Sequence, residues 1–222
     1  MNDGVSDALA VLQARRSVAP RRLGAPGPDD SELQRALQVA LRAPDHGGLV
    51  PWRLIQIPHA RRDELATLFE QEKQRRDPLA TANDLARTRE HASNAPTLLA
   101  FVVCPRHSVS VPAHEQWLAA GAALGNLLHA LQALGYGAIM LSGERCADRV
   151  LCRALGLHDG EVLAGFVSAG TVVKAPAPAP PKPMDGVLTP WPGAATGEPA
   201  NPATNPSTSG PASTPDDAAA RR

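Results

Sequence analysis

The stretch Leu98-Leu99-Ala100-Phe101-Val102-Val103-Cys104 is wholly apolar and rich in β-forming side chains. A strand with one wet face would alternate polar and apolar residues; this one does not, so it reads as an interior strand covered on both faces. Its neighbours in sequence supply the covers. Upstream, residues 63–76 and 82–91 read as charged, surface-lying helices, and residues 53–57 as a short strand. Downstream, the pattern predicts a long helix over about 112–134, a strand near 138–141, a short helix over 148–155 and a final strand over 162–170. Nearer the N-terminus, Asp29 with Glu32 three residues later has the form of a capping box. Leu33, Ala36, Leu37, Ala40 and Leu41 then follow at helical spacing until Pro44 stops the helix. A first helix is expected over about 6–15, capped by Ser6 or Asp7, with Leu9 and Leu12 as core contacts. A proline- and glycine-rich loop spans 20–28. Strands separated by helices, without a regular repeat, predict α+β or α/β layering.

Composition narrows the class. The chain has 222 residues, with 22 basic against 22 acidic side chains. Zero net charge argues against a general nucleic-acid binder, which would carry a basic excess. Hydrophobic residues make up 43%, enough for a core, but aromatic residues only 3%, so Leu, Ala and Val must fill it. Cys104, Cys146 and Cys152 form neither a disulfide framework nor a metal-ligand spacing, so no metal is expected. Residues 1–10 show no basic cluster followed by an apolar run, and a cytoplasmic location is the expectation.

Residues 117–141 carry no charge, a length that hydropathy alone would allow to span a membrane. Asn126, His129 and Gln132, however, recur at steps of three as one polar stripe, and Gly135 and Gly137 break the helix. A buried central helix of a soluble protein fits that pattern better. Gly121 and Gly125 on this helix would admit another helix closely, either within one subunit or across a dimer interface.

Twelve of the 22 prolines follow Lys174. Residues 175–183 alternate Ala and Pro and should form an extended polyproline II strap. Val187, Leu188 and Trp191 could anchor it. Beyond Gly193 almost no large apolar side chain remains, so that tail should be disordered. The expected organisation is one domain over 1–192, its last part (175–192) an extended Pro-rich arm, and a disordered tail over 193–222.

No dinucleotide fingerprint, P-loop, zinc-protease motif or nucleophile elbow is present, and no Cys or Ser stands beside an evident base. No catalytic side chain is assigned, which favours a bound cofactor. Three stretches stand out. Arg15-Arg16-Ser17 offers two guanidinium forks and a hydroxyl suited to a phosphate, or else two arginines complementing a helix dipole. Arg42-Ala43-Pro44-Asp45-His46, with Pro51-Trp52 after it, places Asp and His on a loop between rigid elements, where ligand contacts often lie. Gly135-Tyr136-Gly137 through Ser142-Gly143 brackets a short strand with glycines whose turn could aim backbone N–H groups at a ligand.

Together, Arg-Arg-Ser, Arg-Ala-Pro-Asp-His with Pro-Trp, and Gly-Tyr-Gly-Ala-Ile-x-x-Ser-Gly resemble the FMN-dependent nitroreductase family, in particular its short NAD(P)H nitroreductases. Asn94-Ala95-Pro96 and residues 115–121 fit the same resemblance, which covers about 5–190. It implies an α+β, three-layer nitroreductase-like fold, with a central, mostly antiparallel sheet flanked by helices, in an obligate homodimer holding FMN at the interface. It assigns Arg15, Arg16 and Ser17 to the FMN phosphate and ribityl chain, with Lys174 as a further phosphate contact. Arg42 and His46 would come from the other subunit. Met140, Leu141, Ser142 and Gly143 would lie along the isoalloxazine ring. Ala130, Leu131, Gln132, Ala133, Leu134 and Gly135 match the segment assigned to NADH or NADPH. The implied activity is hydride transfer from NAD(P)H through FMN to a small electron-poor acceptor such as a nitroaromatic or quinone. Two rivals are a flavoprotein that binds or processes FMN without NAD(P)H-driven turnover, and a non-enzymatic interaction protein with a Pro-rich tail. The chain departs from the family at Met140-Leu141, where its short members carry Trp-Arg, and at Gly47-Gly48, which replace bulkier residues and suggest a roomier or more mobile loop.

Overall fold

The computed structural model describes residues 3–107, 110–177 and 183–191, with side chains from Ala8 onward. These fall into two units, the first running to Ala177 and the second comprising 183–191. In the first unit the elements are α1 (Asp3–Gln13), β1 (Leu23–Gly24), α2 (Asp30–Ala40), β2 (Trp52–Gln56), α3 (Arg62–Arg76), α4 (Ala82–Glu90), β3 (Thr97–Val103), α5 (Ala113–Ala133), β4 (Gly137–Leu141), α6 (Arg149–Ala154) and β5 (Val162–Val172).

β5 is the hub of the sheet. β3 runs antiparallel to it, pairing Thr97 with Ala169, and β4 pairs antiparallel along it from Gly137↔Gly170 to Leu141↔Phe166. β2 extends the sheet beyond β3, and the two-residue β1 pairs with the end of β5 at Leu23↔Val172. Every residue of β3 is buried, as its unbroken apolar run demands. Leu99, Phe101 and Val103 face α2 and α5, joined by Leu33, Ala36, Leu127 and Leu131. Leu98, Ala100 and Val102 face the opposite layer, with Leu65, Phe69, Leu151 and Phe166. The result is the expected helix–sheet–helix arrangement, an α+β fold whose named strands all pair antiparallel.

The capping box of α2 forms: Glu32 N donates to the Asp29 carboxylate at 2.8 Å and Asp29 N to Glu32 at 3.0 Å. Four expectations need correction. α2 stops at Ala40, before Pro44, because Arg42 N and Ala43 N turn back to Val39 and Ala40 carbonyls in a tighter turn; the residue before a proline is pushed out of the helical region. The loop over 20–28 contains a 3₁₀ turn and β1. α1 begins at Asp3, ahead of Ser6 and Asp7, and Leu9 and Leu12 are half exposed instead of core. Finally, α3 is not a surface helix: Leu65, Ala66 and Phe69 are core residues. Its pattern hides this because Arg62 and Glu72 share the buried face, so polarity there does not mark the solvent side.

Among the described residues no helix is long and apolar enough to cross a membrane. At Gly121 and Gly125 an added Cβ would meet nothing within 4 Å, so no element of the described chain uses their smallness. Of the Pro-rich arm, residues 178–182 and 192 lie outside the described residues, as does the whole tail over 193–222. Within 183–191, Val187, Leu188 and Trp191 are exposed.

Candidate functional site

The chain after α1 runs beside β4 in the same direction. Ser17 forms a parallel bridge with Ala138, and Val18 N donates to the Ala138 carbonyl at 3.1 Å. Gln132, near the end of α5, ties this segment down: its Oε1 accepts from Arg16 N at 3.1 Å, and its Nε2 donates to the Val11 carbonyl at 3.2 Å. The approach requires glycine at 137, where a Cβ would lie 2.6 Å from Val172 Cγ2 and 2.8 Å from Leu23 Cδ2. Arg16, Val18, Gln132, Gly135, Gly137 and Pro176 line a cleft of about 310 Å³ here. Arg15 is half buried next to it, and Ser17 and Lys174 are exposed. The Arg16 guanidinium donates to the Ala177 carbonyl, and Arg22 to that of Ala175 at 2.6 Å. Of these side chains Arg16 lines the cleft, and no acidic residue lines it.

Four residues further along β4, roughly 13 Å away at the rise of a strand, lies a second cavity of about 170 Å³. Pro20, Leu98, Leu141 and Phe166 supply apolar wall, while His91, Asn94, Ser142, Arg145 and Ser168 supply polar groups. Gly165 allows β5 to pass under this ledge, since a Cβ there would fall 2.7 Å from the Leu141 carbonyl oxygen and 2.7 Å from Met140 Cε. Gly143 has φ 148°, and a Cβ there would meet open space. Its backbone is thus exposed at the exit of β4, in a conformation that favours glycine.

Arg145 follows in the 3₁₀ turn Glu144–Ala147. Its guanidinium carbon sits 4.3 Å over the Phe69 ring centroid, and its Nη2 lies 3.1 Å from His91 Nδ1. Burial, and after it the adjacent Arg145 charge, holds the His91 pKa below the usual imidazole value. His91 is therefore the neutral acceptor for Arg145.

The loop after α2 is shaped by its own residues. Asp45 accepts from Val50 N at 2.6 Å, and Gly47 (φ 77°) and Gly48 (φ 61°) take left-handed conformations. Glycine is needed there for backbone shape, beyond any question of room. His46 Nδ1 lies 2.7 Å from the Glu115 carboxylate in the first turn of α5. Glu115 and Gln132 are 17 positions apart on one helix, about 25 Å. Within one chain, His46 is thus remote from the Arg15–Ser17 segment. Arg42 lines a groove of about 460 Å³ between α2 and α5 with Arg35, Gln38, Val39, Ala130, Ala133 and Leu134. Within the nicotinamide-assigned segment Ala130 and Leu131 belong to the core, so its surface is offered by Gln132, Ala133 and Gly135.

Sequence reasoning missed Pro20, His91, Arg145 and Ser168. Arg145 alone had a local signal, two residues past Gly143; the others come from remote segments. The cysteines add no nucleophile. Burial, then hydrogen bonding to Glu161, pushes the Cys104 thiol up to about 11, and burial raises Cys146 and Cys152 as well.

Comparisons with known proteins agree with one another. The model of the nitroreductase family matches residues 12–171. "Putative NAD(P)H nitroreductase YdjA" of Escherichia coli strain K12 is 31% identical over 168 residues, spanning 74% of this chain and 88% of that protein. Among solved structures, the nitroreductase-like family protein from Bacillus cereus superposes with a TM-score of 0.69 at 20% identity, covering 83% of this chain and 96% of that one. A nitroreductase with bound FMN from Bacteroides fragilis gives a TM-score of 0.60 at 20% identity, over 83% and 98% of the two chains.

Proposed function

The chain belongs to the nitroreductase family, and we propose on that premise that it is an FMN-dependent oxidoreductase passing a hydride from NADH or NADPH to a small, flat, electron-poor acceptor such as a nitroaromatic or quinone. The observation that carries the reading is that residues 15–20 run along β4 and meet both its ends, 132–137 and 141–145, more than a hundred positions away in sequence.

The donor set fits riboflavin phosphate. One end of β4 offers Arg15, Arg16, Ser17 and Lys174, and guanidinium forks match phosphate oxygens. The other end offers an apolar ledge at Leu141 with a polar rim at Ser142, Asn94 and Arg145, suited to an aromatic ring with a hydrogen-bonding edge. The cleft at the first end has no acidic residue to repel an anion. Bound flavin would supply the two-electron chemistry, which is why the chain needs no nucleophile of its own.

What the residues do follows from their chemistry. Arg15, Arg16 and Lys174 neutralise phosphate charge, and Ser17 donates a hydroxyl hydrogen bond. Gly143 and Ser142 present backbone groups to the ring edge without a Cβ in the way. Leu141, as apolar wall of the cavity, would shield a bound ring from water. Gln132, by holding Arg16 N, fixes the phosphate-binding segment against α5.

A homodimer completes the site. About 25 Å of α5 separates His46 from the Arg16 end within one chain, and a twofold partner would bring its own Arg42 and His46 to that end. Exposed Leu9, Leu12, Trp117 and Leu118, with open Gly121 and Gly125, offer the apolar, closely approachable face such a partner needs. The Pro-rich arm over 175–192, with exposed Val187, Leu188 and Trp191, would lie across that partner. The assembly would work in the cytoplasm.

The test is the visible spectrum of the purified protein, before and after anaerobic NADH or NADPH. A yellow protein bleached by the nucleotide is expected. A yellow protein that the nucleotide leaves unbleached would favour FMN binding without turnover, and a colourless one that takes up no FMN would favour an interaction protein.

A further inference from the structure

Arg145 makes no close ion pair among the described residues, and the buried Glu72 carboxylate acts on its charge only from beyond ion-pair distance. Its neighbours compete for other partners: Glu72 accepts from Arg76 Nε at 2.6 Å, and Glu144 accepts from Arg76 Nη1 at 2.7 Å. What remains to Arg145 is a π face, Phe69, and a neutral nitrogen, His91 Nδ1. Both fix the orientation of the guanidinium without cancelling its charge. A half-buried charge is costly unless something answers it, and the cavity it lines is the one bounded by Leu141 and Ser142.

We propose that Arg145, oriented by Phe69 and His91, contacts the pyrimidine edge of the flavin and stabilises the negative charge that gathers there on reduction. The proposal rests on the FMN reading above and deepens it. It also accounts for Met140-Leu141: the guanidinium absent from β4 is supplied by the turn that follows, from a different direction. Arg145 is thereby a residue that tunes the cofactor, with His91 as its positioning residue. Neutral His91 keeps its Nδ1 lone pair for the guanidinium; a charged imidazole there would repel it.

The test is the two-electron midpoint potential of the purified holoprotein, set beside FMN affinity. Arg145→Gln keeps a donor toward His91 but removes the charge. A charge-assisted hydrogen bond lost only from the reduced state lowers its stabilisation about 10- to 100-fold, which is about 30–60 mV more negative for a two-electron couple. Oxidised FMN should also bind more weakly, but by less than the reduced form does. Arg145→Lys, which keeps the charge but not the fork, should recover part of the potential. An unchanged potential in flavin-loaded Arg145→Gln would overturn the proposal while leaving the FMN reading intact; a wild-type protein that binds no FMN would overturn both. Should Arg145→Gln fail to fold, wild-type protein decides: FMN should abolish phenylglyoxal modification of Arg145 mapped by mass spectrometry, and equal modification with and without FMN would overturn the assignment.

Discussion

Arg62 and Arg145 are both guanidinium groups on the α3 side of the sheet, yet the chain treats them differently. Arg62 is 4% exposed and donates to four backbone carbonyls, those of Ile57, Ala92, Ala95 and Pro96, at 2.6 to 3.4 Å. It staples the end of β2 to the turn that precedes β3. Nearby, Arg53 grips Glu161 through two hydrogen bonds of 2.7 and 2.8 Å, and Cys104 donates its thiol to the same carboxylate. These polar groups answer one another. Along β4 and the outer face of α5 the reverse holds: Arg145 makes no close ion pair among the described residues, Gly121 and Gly125 face open space, and Leu118 is 70% exposed. The first region satisfies itself, whereas the second leaves a guanidinium and an apolar helix face open.

Substitutions can break that contrast. The largest loss of stability is expected from Arg62→Met, which strands several buried carbonyls at about 1–3 kcal/mol each; a fall of about 3 kcal/mol or more in urea unfolding, with FMN stoichiometry unchanged, is the expected outcome.

Next comes Glu161→Gln. Hydrogen bonding from Arg53 holds the Glu161 carboxyl down to about 2, against 4.5 for a free one. A depressed carboxylate stabilises the fold above its unfolded pKa, and the contribution fades as pH falls through the folded one. Wild type should therefore exceed the variant by roughly 2–3 kcal/mol at pH 7, the gap closing between about pH 4.5 and 2. A gap that stayed constant down to pH 2 would show that the pair contributes packing alone.

On the unsatisfied side the effects on folding should be small. Arg145→Gln loses a cation–π contact worth about 0.5–1 kcal/mol, so its unfolding midpoint should barely move while its flavin potential does. Of similar size but opposite sign is Gly121→Ala, which should raise helix stability by about 0.5–1 kcal/mol because none of the described residues opposes the added methyl. If a second α5 packs there, the same methyl should weaken the dimer, read by sedentation of the protein across a dilution series in the ultracentrifuge. A dimer indifferent to Gly121→Ala would move the subunit contact elsewhere.

Much of this was legible in the chain itself. The interior strand, the α2 capping box, the long central helix and the glycine-bracketed β4 were all readable because each rests on local rules of periodicity, capping and turn chemistry. The misreadings of α3 and α1 share one physical cause. α3 hides a core face because Arg62 and Glu72 are buried with their own partners, and α1 shows Leu9 and Leu12 to solvent because no element of the described chain covers them. In both cases burial depends on a neighbour that sequence does not name.

The candidate site divides along the same line. Arg15–Ser17 and Ser142–Gly143 could be picked out singly, as types of residue that suit phosphate and backbone recognition. Their meeting along β4, the arrival of His91 and Arg145 beside Leu141, and the distance that keeps His46 away belong to the packed chain alone. Local sequence sets the backbone's short-range preferences, within a few residues. Which charges end up paired and which stand open is settled only when segments over a hundred residues apart, such as Arg16 and Gln132, compete for the same few buried partners.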